Sequence, residues 1–241
     1  MMGIRWTDRR ATYRQLRKRA RRVLRPAWLG TLRRVTPLSE HWGYDRGTPV
    51  DRYYIERFIA RYRDDIRGRV LEVKDSAYTG RWGSGVTRAD VLDINRNNPR
   101  ATVLADLGVE SALEADTFDC CIIVQTLQFI PDPAVAVRTL WRALKPGGAL
   151  LLTVPGITRV DPILTETDYW RFTPAICRRL LGDSFGHEQI DVEGHGNVLA
   201  AIAFLTGMGC EELTRRELDT GDPLYPLVVT ARAVKPSDRF R

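Results

Sequence analysis

Cysteine, histidine and long apolar runs are all scarce in this chain of 241 residues. The four cysteines are the neighbours Cys120 and Cys121 and the isolated Cys177 and Cys210. They form neither a disulfide framework nor a zinc spacing, so no metal is expected and a reducing cytoplasm is the simplest setting. The longest apolar stretch, Val198 to Met208, is interrupted by Thr206 and Gly207. It falls short of the roughly 20 residues that span a bilayer. The N-terminus has charge without an apolar core, so no secretory signal is expected. Gly-x-Ser-x-Gly and P-loop patterns are missing too, which argues against an α/β-hydrolase or a P-loop nucleotidase.

The remainder is ordinary for a globular protein, with 44% hydrophobic and 28% charged residues. Its length suits one sizeable domain. The net charge of +7 is unevenly spread. Residues 1–34 carry twelve Lys/Arg against the single acid Asp8, a balance of +11, which leaves residues 35–241 at −4. Within this arm Tyr13, Leu16, Ala20, Val23 and Leu24 recur at helical spacing with arginines between them, and Pro26 ends the run. A basic amphipathic helix of this kind is open to four roles: a solvated extension, packing on a partner protein, contact with the inner membrane surface, or RNA binding. The boundary of the folded domain is expected at 34/35.

From Thr48 the punctuation becomes regular. Thr48-Pro49-Val50-Asp51 opens a helix with a capping hydroxyl and a first-turn acid, and Ile55, Phe58, Ile59 and Tyr62 share one face. Residues 69–73, 91–94 and 102–106 read as strands. Cys120-Cys121-Ile122-Ile123-Val124 has the continuous apolar character of a strand buried on both faces. Asp132-Pro133 starts a helix that Lys145-Pro146-Gly147-Gly148 ends, and residues 149–154 follow as a strand. Thr173-Pro174 opens a further helix with Ile176, Leu180 and Leu181 inward. A strand near 189–192, a helix over 197–205 and a final strand over 226–234 complete an alternating pattern. Its fold class is α/β: a doubly wound, mostly parallel sheet of about seven strands.

Ligands of such sheets bind beyond the carboxyl ends of the strands. Glu72 lies in the first strand, Asp93 ends the second 21 residues later and Asp106 ends the third. A carboxylate about 20 residues past the first βα turn suits ribose hydroxyls, because it accepts both protons. Three acids at three successive strand ends point to a nucleoside ligand.

These residues also carry a resemblance. Phe118-Asp119-Cys-Cys-Ile-Ile-Val-Gln-Thr-Leu-Gln-Phe-Ile130-Pro-Asp-Pro and Leu140-Trp-Arg-Ala-Leu144-Lys-Pro-Gly-Gly-Ala-Leu-Leu-Leu-Thr-Val-Pro155 together resemble the S-adenosylmethionine (SAM)-dependent methyltransferase type 11 pattern. The likeness is specific over 118–155, extends across about 48–235 and leaves the basic arm out. It implies the class I, Rossmann-like methyltransferase fold with SAM as cofactor. On that likeness Glu72 belongs to the first SAM motif, Asp93 holds the ribose, Asp106 and Leu107 flank the adenine, and Gln125 and Thr126 border the methionine end. The segments Arg46-Gly-Thr-Pro-Val-Asp-Arg-Tyr-Tyr54-Ile-Glu and Asp168-Tyr-Trp-Arg-Phe-Thr-Pro174 resemble methyltransferase-like proteins found with bacterial glycan and natural-product biosynthesis.

One departure is conspicuous. The family's first motif has three alternating glycines after the acid, and here Lys74, Ser76 and Tyr78 stand in those places. Two readings stay open: a reshaped loop in which Lys74 or Tyr78 contacts SAM, or a silenced pocket in a scaffold protein. For the chemistry, His195 beside a helix start and His41 in a lid-like segment are the candidate proton acceptors. Tyr169, Trp170 and Arg171 are the candidate acceptor-binding residues, through stacking and charge-assisted hydrogen bonds. The resulting expectation is methyl transfer to a small molecule or glycan, at oxygen. The fourth strand ends in Gln-Thr-Leu, without the Asn/Asp-Pro-Pro-Tyr of base or glutamine N-methyltransferases, and no Pro-Cys nucleophile appears. An RNA methyltransferase therefore rests on the arm alone.

Overall fold

The computed structural model describes Gly30 and residues 33–237. The chain divides into two units, Met1–Thr36 and Pro37–Arg241, and all elements below belong to the second. The amphipathic helix expected within 1–34 lies outside the described residues.

Helix α1, Val50–Arg61, buries Ile55, Phe58 and Ile59 on the face that the spacing indicates. Its start differs from the expectation. No side chain caps it, because the Thr48 hydroxyl donates instead to Glu211 at 2.8 Å. Strand β1 is Gly68–Val73, followed by the short helix α2, Ala77–Trp82, which the sequence pattern does not signal. Next come β2 (Val86–Asp93), β3 (Val103–Leu104) and β4 (Phe118–Val124). Helix α3, Pro133–Ala143, begins with the Asp132 side chain accepting from the Ala134 N–H. Strand β5, Leu144–Pro155, starts earlier than expected. Leu144 already pairs with Phe118, so Lys-Pro-Gly-Gly sits within the strand, where Gly147 takes φ +79°. Helix α4, Pro174–Phe185, turns Cys177, Leu181 and Phe185 inward, while Ile176 faces solvent, 38% exposed. Strand β6 (Ile190–His195), helices α5 (Val198–Thr206) and α6 (Arg215–Asp219), and strand β7 (Val228–Val234) complete the order.

The sheet order is β3-β2-β1-β4-β5-β7-β6. β7 runs antiparallel to both β5 and β6, and the other pairings are parallel. Alternate residues of the central strands feed two cores. Leu71, Cys121, Ile123, Leu150 and Leu152 pack with α3 and α4. Val70, Cys120, Ile122 and Leu151 pack with α1 and α5. The strict alternation explains why these strands read as unbroken apolar runs. Strand order reverses between β1 and β4, which places the crevice of a doubly wound sheet above those two strands. No described helix is long and apolar enough to cross a membrane.

Candidate active site

Two strained residues mark that crevice. Lys74, directly after β1, has φ +69°, and Gln125, directly after β4, has φ +48°. Left-handed backbone costs a non-glycine residue roughly 1–2 kcal/mol. Such residues concentrate where function holds them. Lys74 is fixed by its N–H to Leu92 O at 2.9 Å and by Asn98 Nδ2 donating to its carbonyl at 2.8 Å. Gln125 N–H donates to Thr153 O at 2.9 Å.

The loop after β1 differs in shape from what three glycines would require. Only the Lys74 position uses left-handed backbone; Ser76, with φ −120°, and the helical Tyr78 do not. Glu72 organises the turn: its carboxylate accepts from Tyr78 N at 2.9 Å, Thr79 N at 2.8 Å and Thr79 Oγ1 at 2.7 Å. Burial raises the Glu72 pKa, with these donors opposing the rise. Tyr78 stacks on Trp82 at 5.7 Å, and its hydroxyl accepts from Arg52 Nη1 at 3.2 Å.

Asp93 ends β2 with one oxygen on the Asn95 N–H and the other on Asn98 Nδ2, at 2.9 and 2.8 Å. Burial opposes ionisation, but these donors and the nearby Lys74 charge outweigh it, and the pKa lies below the usual value. Asp106 accepts from the Gly108 N–H at 2.8 Å, beside the buried Leu107. The Thr126 hydroxyl turns back onto Val124 O at 3.0 Å. Glu72, Lys74, Asp93, Asp106 and Gln125 thus follow or end adjacent parallel strands along one edge of the sheet.

Above Lys74 and Gln125 lies a cleft of about 210 Å³, walled by Trp42, Tyr44 and Phe129 and reached by Asp51, Arg52 and Gln128. Four residues that line it each hold a buried polar atom without a hydrogen-bond partner: Asp51 Oδ1, Gln125 Nε2, Gln128 Oε1 and Arg159 Nε. Buried polar groups are nearly always paired, so a concentration of unpaired ones marks this cleft as a candidate binding site. Asp51 is 7% exposed, and burial raises its pKa against the pull of Arg52. Arg159 stacks on Trp42 at 4.0 Å and donates to the Glu40 carbonyl, tying the loop after β5 to the segment before α1.

The histidines lie elsewhere. His41 is exposed and does not line the cleft. His195 ends β6 in a separate groove, with Nε2 2.8 Å from Thr230 Oγ1 and burial lowering its pKa. Arg171 grips Asp168 through two bonds of 2.6 and 2.9 Å and holds Arg159 O at 2.8 Å, so it braces the loop. Trp170 is 41% exposed, with its indole N–H on Ile130 O at 3.0 Å. Tyr169, 48% exposed, donates its backbone N–H to Gln128 O at 2.8 Å. Sequence reasoning missed Asp51, Arg52, Gln128 and Arg159 as cleft residues. Asp51 gave a signal as a first-turn acid, and both Asp51 and Arg52 lie in the 46–56 segment of the resemblance, but neither pattern assigned them to a cleft.

A seven-stranded sheet in this order, with a crevice at the switch point and acids along its carboxyl edge, is the class I, Rossmann-like methyltransferase fold. Residues 85–152 match a family model described as a methyltransferase domain. No curated protein is significantly similar in sequence. Among solved structures, the N-methyltransferase NodS from Bradyrhizobium japonicum, in complex with S-adenosylhomocysteine (SAH), is 15% identical over 79% of this chain and 89% of its own, with a TM-score of 0.50. A SAM-dependent methyltransferase from Archaeoglobus fulgidus is 15% identical over 76% of this chain and 94% of its own, also at 0.50. A Haemonchus contortus phosphoethanolamine N-methyltransferase is 16% identical over 71% of this chain at a TM-score of 0.49; the match spans 49% of that enzyme's length. The domain match covers residues 85–152, and the likeness to these structures is one of fold, that of the class I, Rossmann-like methyltransferases.

Proposed function

We propose that this protein transfers the methyl group of SAM to a small-molecule or glycan acceptor, at oxygen. The observation that carries the reading is the cleft at the switch point, with orphaned polar atoms on its wall and Asp93 and Asp106 on the adjoining strand ends. These groups fit the donor. Asp93 suits the ribose diol, Asp106 and Leu107 the adenine, and Gln125 the methionine end. SAM supplies an electrophilic methyl on a sulfonium; the chain's part is to align the acceptor, keep water away and, for a hydroxyl, take its proton. Trp42, Tyr44 and Phe129 offer stacking surfaces for a sugar or other ring. Two carboxylates of the loop after β5, Asp161 and Asp168, line the same cleft. Asp168 is held by Arg171, which leaves Asp161 as the candidate proton acceptor, and no histidine lines the cleft. Tyr169 and Trp170 present exposed rings on that loop, outside the cleft lining, where they would meet an extended acceptor. The basic arm suits a peripheral contact with an anionic membrane surface or an acidic protein in the cytoplasm.

The test is transfer from methyl-labelled SAM by the full chain to panels of hydroxylated small molecules, saccharides, amines and RNA. Label is expected in alkali-stable ether linkage on a hydroxylated acceptor. Labelling of RNA alone, or of amines alone, overturns the assignment.

A further inference from the structure

The amino-acid half of SAM is a zwitterion: an ammonium with three donors and a carboxylate with only acceptors. The cleft's orphaned atoms form the complementary set. Asp51 Oδ1 and Gln128 Oε1 are acceptors without donors, and Gln125 Nε2 and Arg159 Nε are donors without acceptors. Asp51 and Gln128 are 7% and 6% exposed. Three cationic side chains, Arg52, Lys74 and Arg159, line the same cleft, and Arg159 is engaged by Trp42 and the Glu40 carbonyl. Arg52 Nε stands 3.8 Å from Asp51 Oδ2, so its guanidinium is held beside the carboxylate without closing onto Oδ1.

A buried carboxylate with a free oxygen calls for a compensating partner. Desolvation of an unpaired polar group costs on the order of 1–3 kcal/mol in proteins. A first-turn acid gains about 0.3–1 kcal/mol from the helix dipole at an exposed site, which does not cover the cost at a buried one.

We propose that Asp51 and Arg52, presented by the first turn of α1, act with Lys74 as a side-chain clamp for the amino-acid end of the donor. Asp51 and Gln128 take the ammonium; Arg52, Lys74 and Gln125 Nε2 take the carboxylate. The clamp substitutes side-chain charge for the close backbone approach that three glycines give elsewhere. It rests on the donor-pocket reading above and adds the residues that distinguish this chain within it.

The experiment is calorimetric titration of the full chain and of Asp51→Asn with two probes. SAH carries the amino-acid end; 5′-methylthioadenosine has the same nucleoside without it. The wild type is expected to bind SAH at least 30-fold more tightly than methylthioadenosine. Asp51→Asn is expected to weaken SAH at least tenfold and to leave methylthioadenosine within twofold. Asn is isosteric and removes a buried charge, so the variant should unfold no earlier than the wild type, a check on its fold by thermal melting. Unchanged SAH affinity in Asp51→Asn overturns the clamp and assigns Asp51 to the acceptor. Equal wild-type affinity for the two probes also overturns it while leaving the donor pocket standing. Wild-type binding of neither probe overturns the donor pocket itself.

Discussion

Asp90 sits in mid-strand on β2 with its side chain fully buried, gripped by Arg69 at 2.6 Å and Arg88 at 2.9 Å and accepting from Thr102 Oγ1 at 3.0 Å. Burial alone would raise its pKa, but the donors and the Arg69 charge outweigh that and lower it. A depressed carboxylate contributes stability that is complete above its unfolded value and lost as pH falls through the folded one. Asp90→Ala strands two arginines and is expected to cost about 3 kcal/mol at neutral pH, read by urea unfolding. The deficit should shrink in acid, below the ordinary aspartate value of about 3.9, because the folded-state pKa lies lower still; a deficit that persists unchanged there would refute the electrostatic account. At this scale legibility depended on where burial comes from. Asp93 was readable because a strand's end fixes where its acid points. Asp51 was not, because it looks like any first-turn acid until Tyr44, Phe204 and Leu227, far apart in sequence, close around it. His195 failed to reach the cleft for a related reason: strand β6 lies at the sheet edge, beyond β7.

Helix starts were among the clearest elements in the sequence. Asp132 and Thr173 cap α3 and α4 as their residue types suggest. Asn197 does more: its Oδ1 accepts from Ala200 N at 2.9 Å, and its Nδ2 donates to Glu217 O and Thr220 O at 2.7 and 2.6 Å. It therefore couples α5 to α6. Asn197→Ala is expected to cost about 2 kcal/mol, the upper range for a cap, because the carbonyls of Glu217 and Thr220 lose their donor as well. A thermal midpoint shift of several degrees checks this, and an unchanged midpoint would show that the two helices are held by packing alone. The elements that escaped the sequence were local exceptions to periodicity. Helix α2 has too few apolar residues to declare a face, and it forms because Glu72 satisfies its first N–H groups. The early start of β5 escaped because Lys-Pro-Gly-Gly has the chemistry of a stop, and only pairing with β4 across the sheet extends the strand through it.

For the molecule as a whole, the α/β class and the central strands were legible because two buried faces demand continuous apolar runs. The cleft's inventory was only half legible. Of the candidate site residues singled out in the sequence, Lys74 and Gln125 line the cleft, with Glu72, Asp93 and Asp106 at or near the adjoining strand ends, whereas α1 and the loop after β5 close it through contacts that no sequence spacing encodes. The charge is asymmetric as well, +11 in residues 1–34 against −4 in the rest. The central claim is that this cleft holds the methyl donor although Lys74, Ser76 and Tyr78 replace the usual glycines. Its most direct test is calorimetric titration of the full chain with SAM, repeated on Asp93→Ala. The account predicts binding of about micromolar strength. Loss of the ribose contact should weaken it at least about tenfold, or about 1.4 kcal/mol. Absence of binding at millimolar SAM, or an Asp93→Ala affinity equal to the wild type, would contradict it.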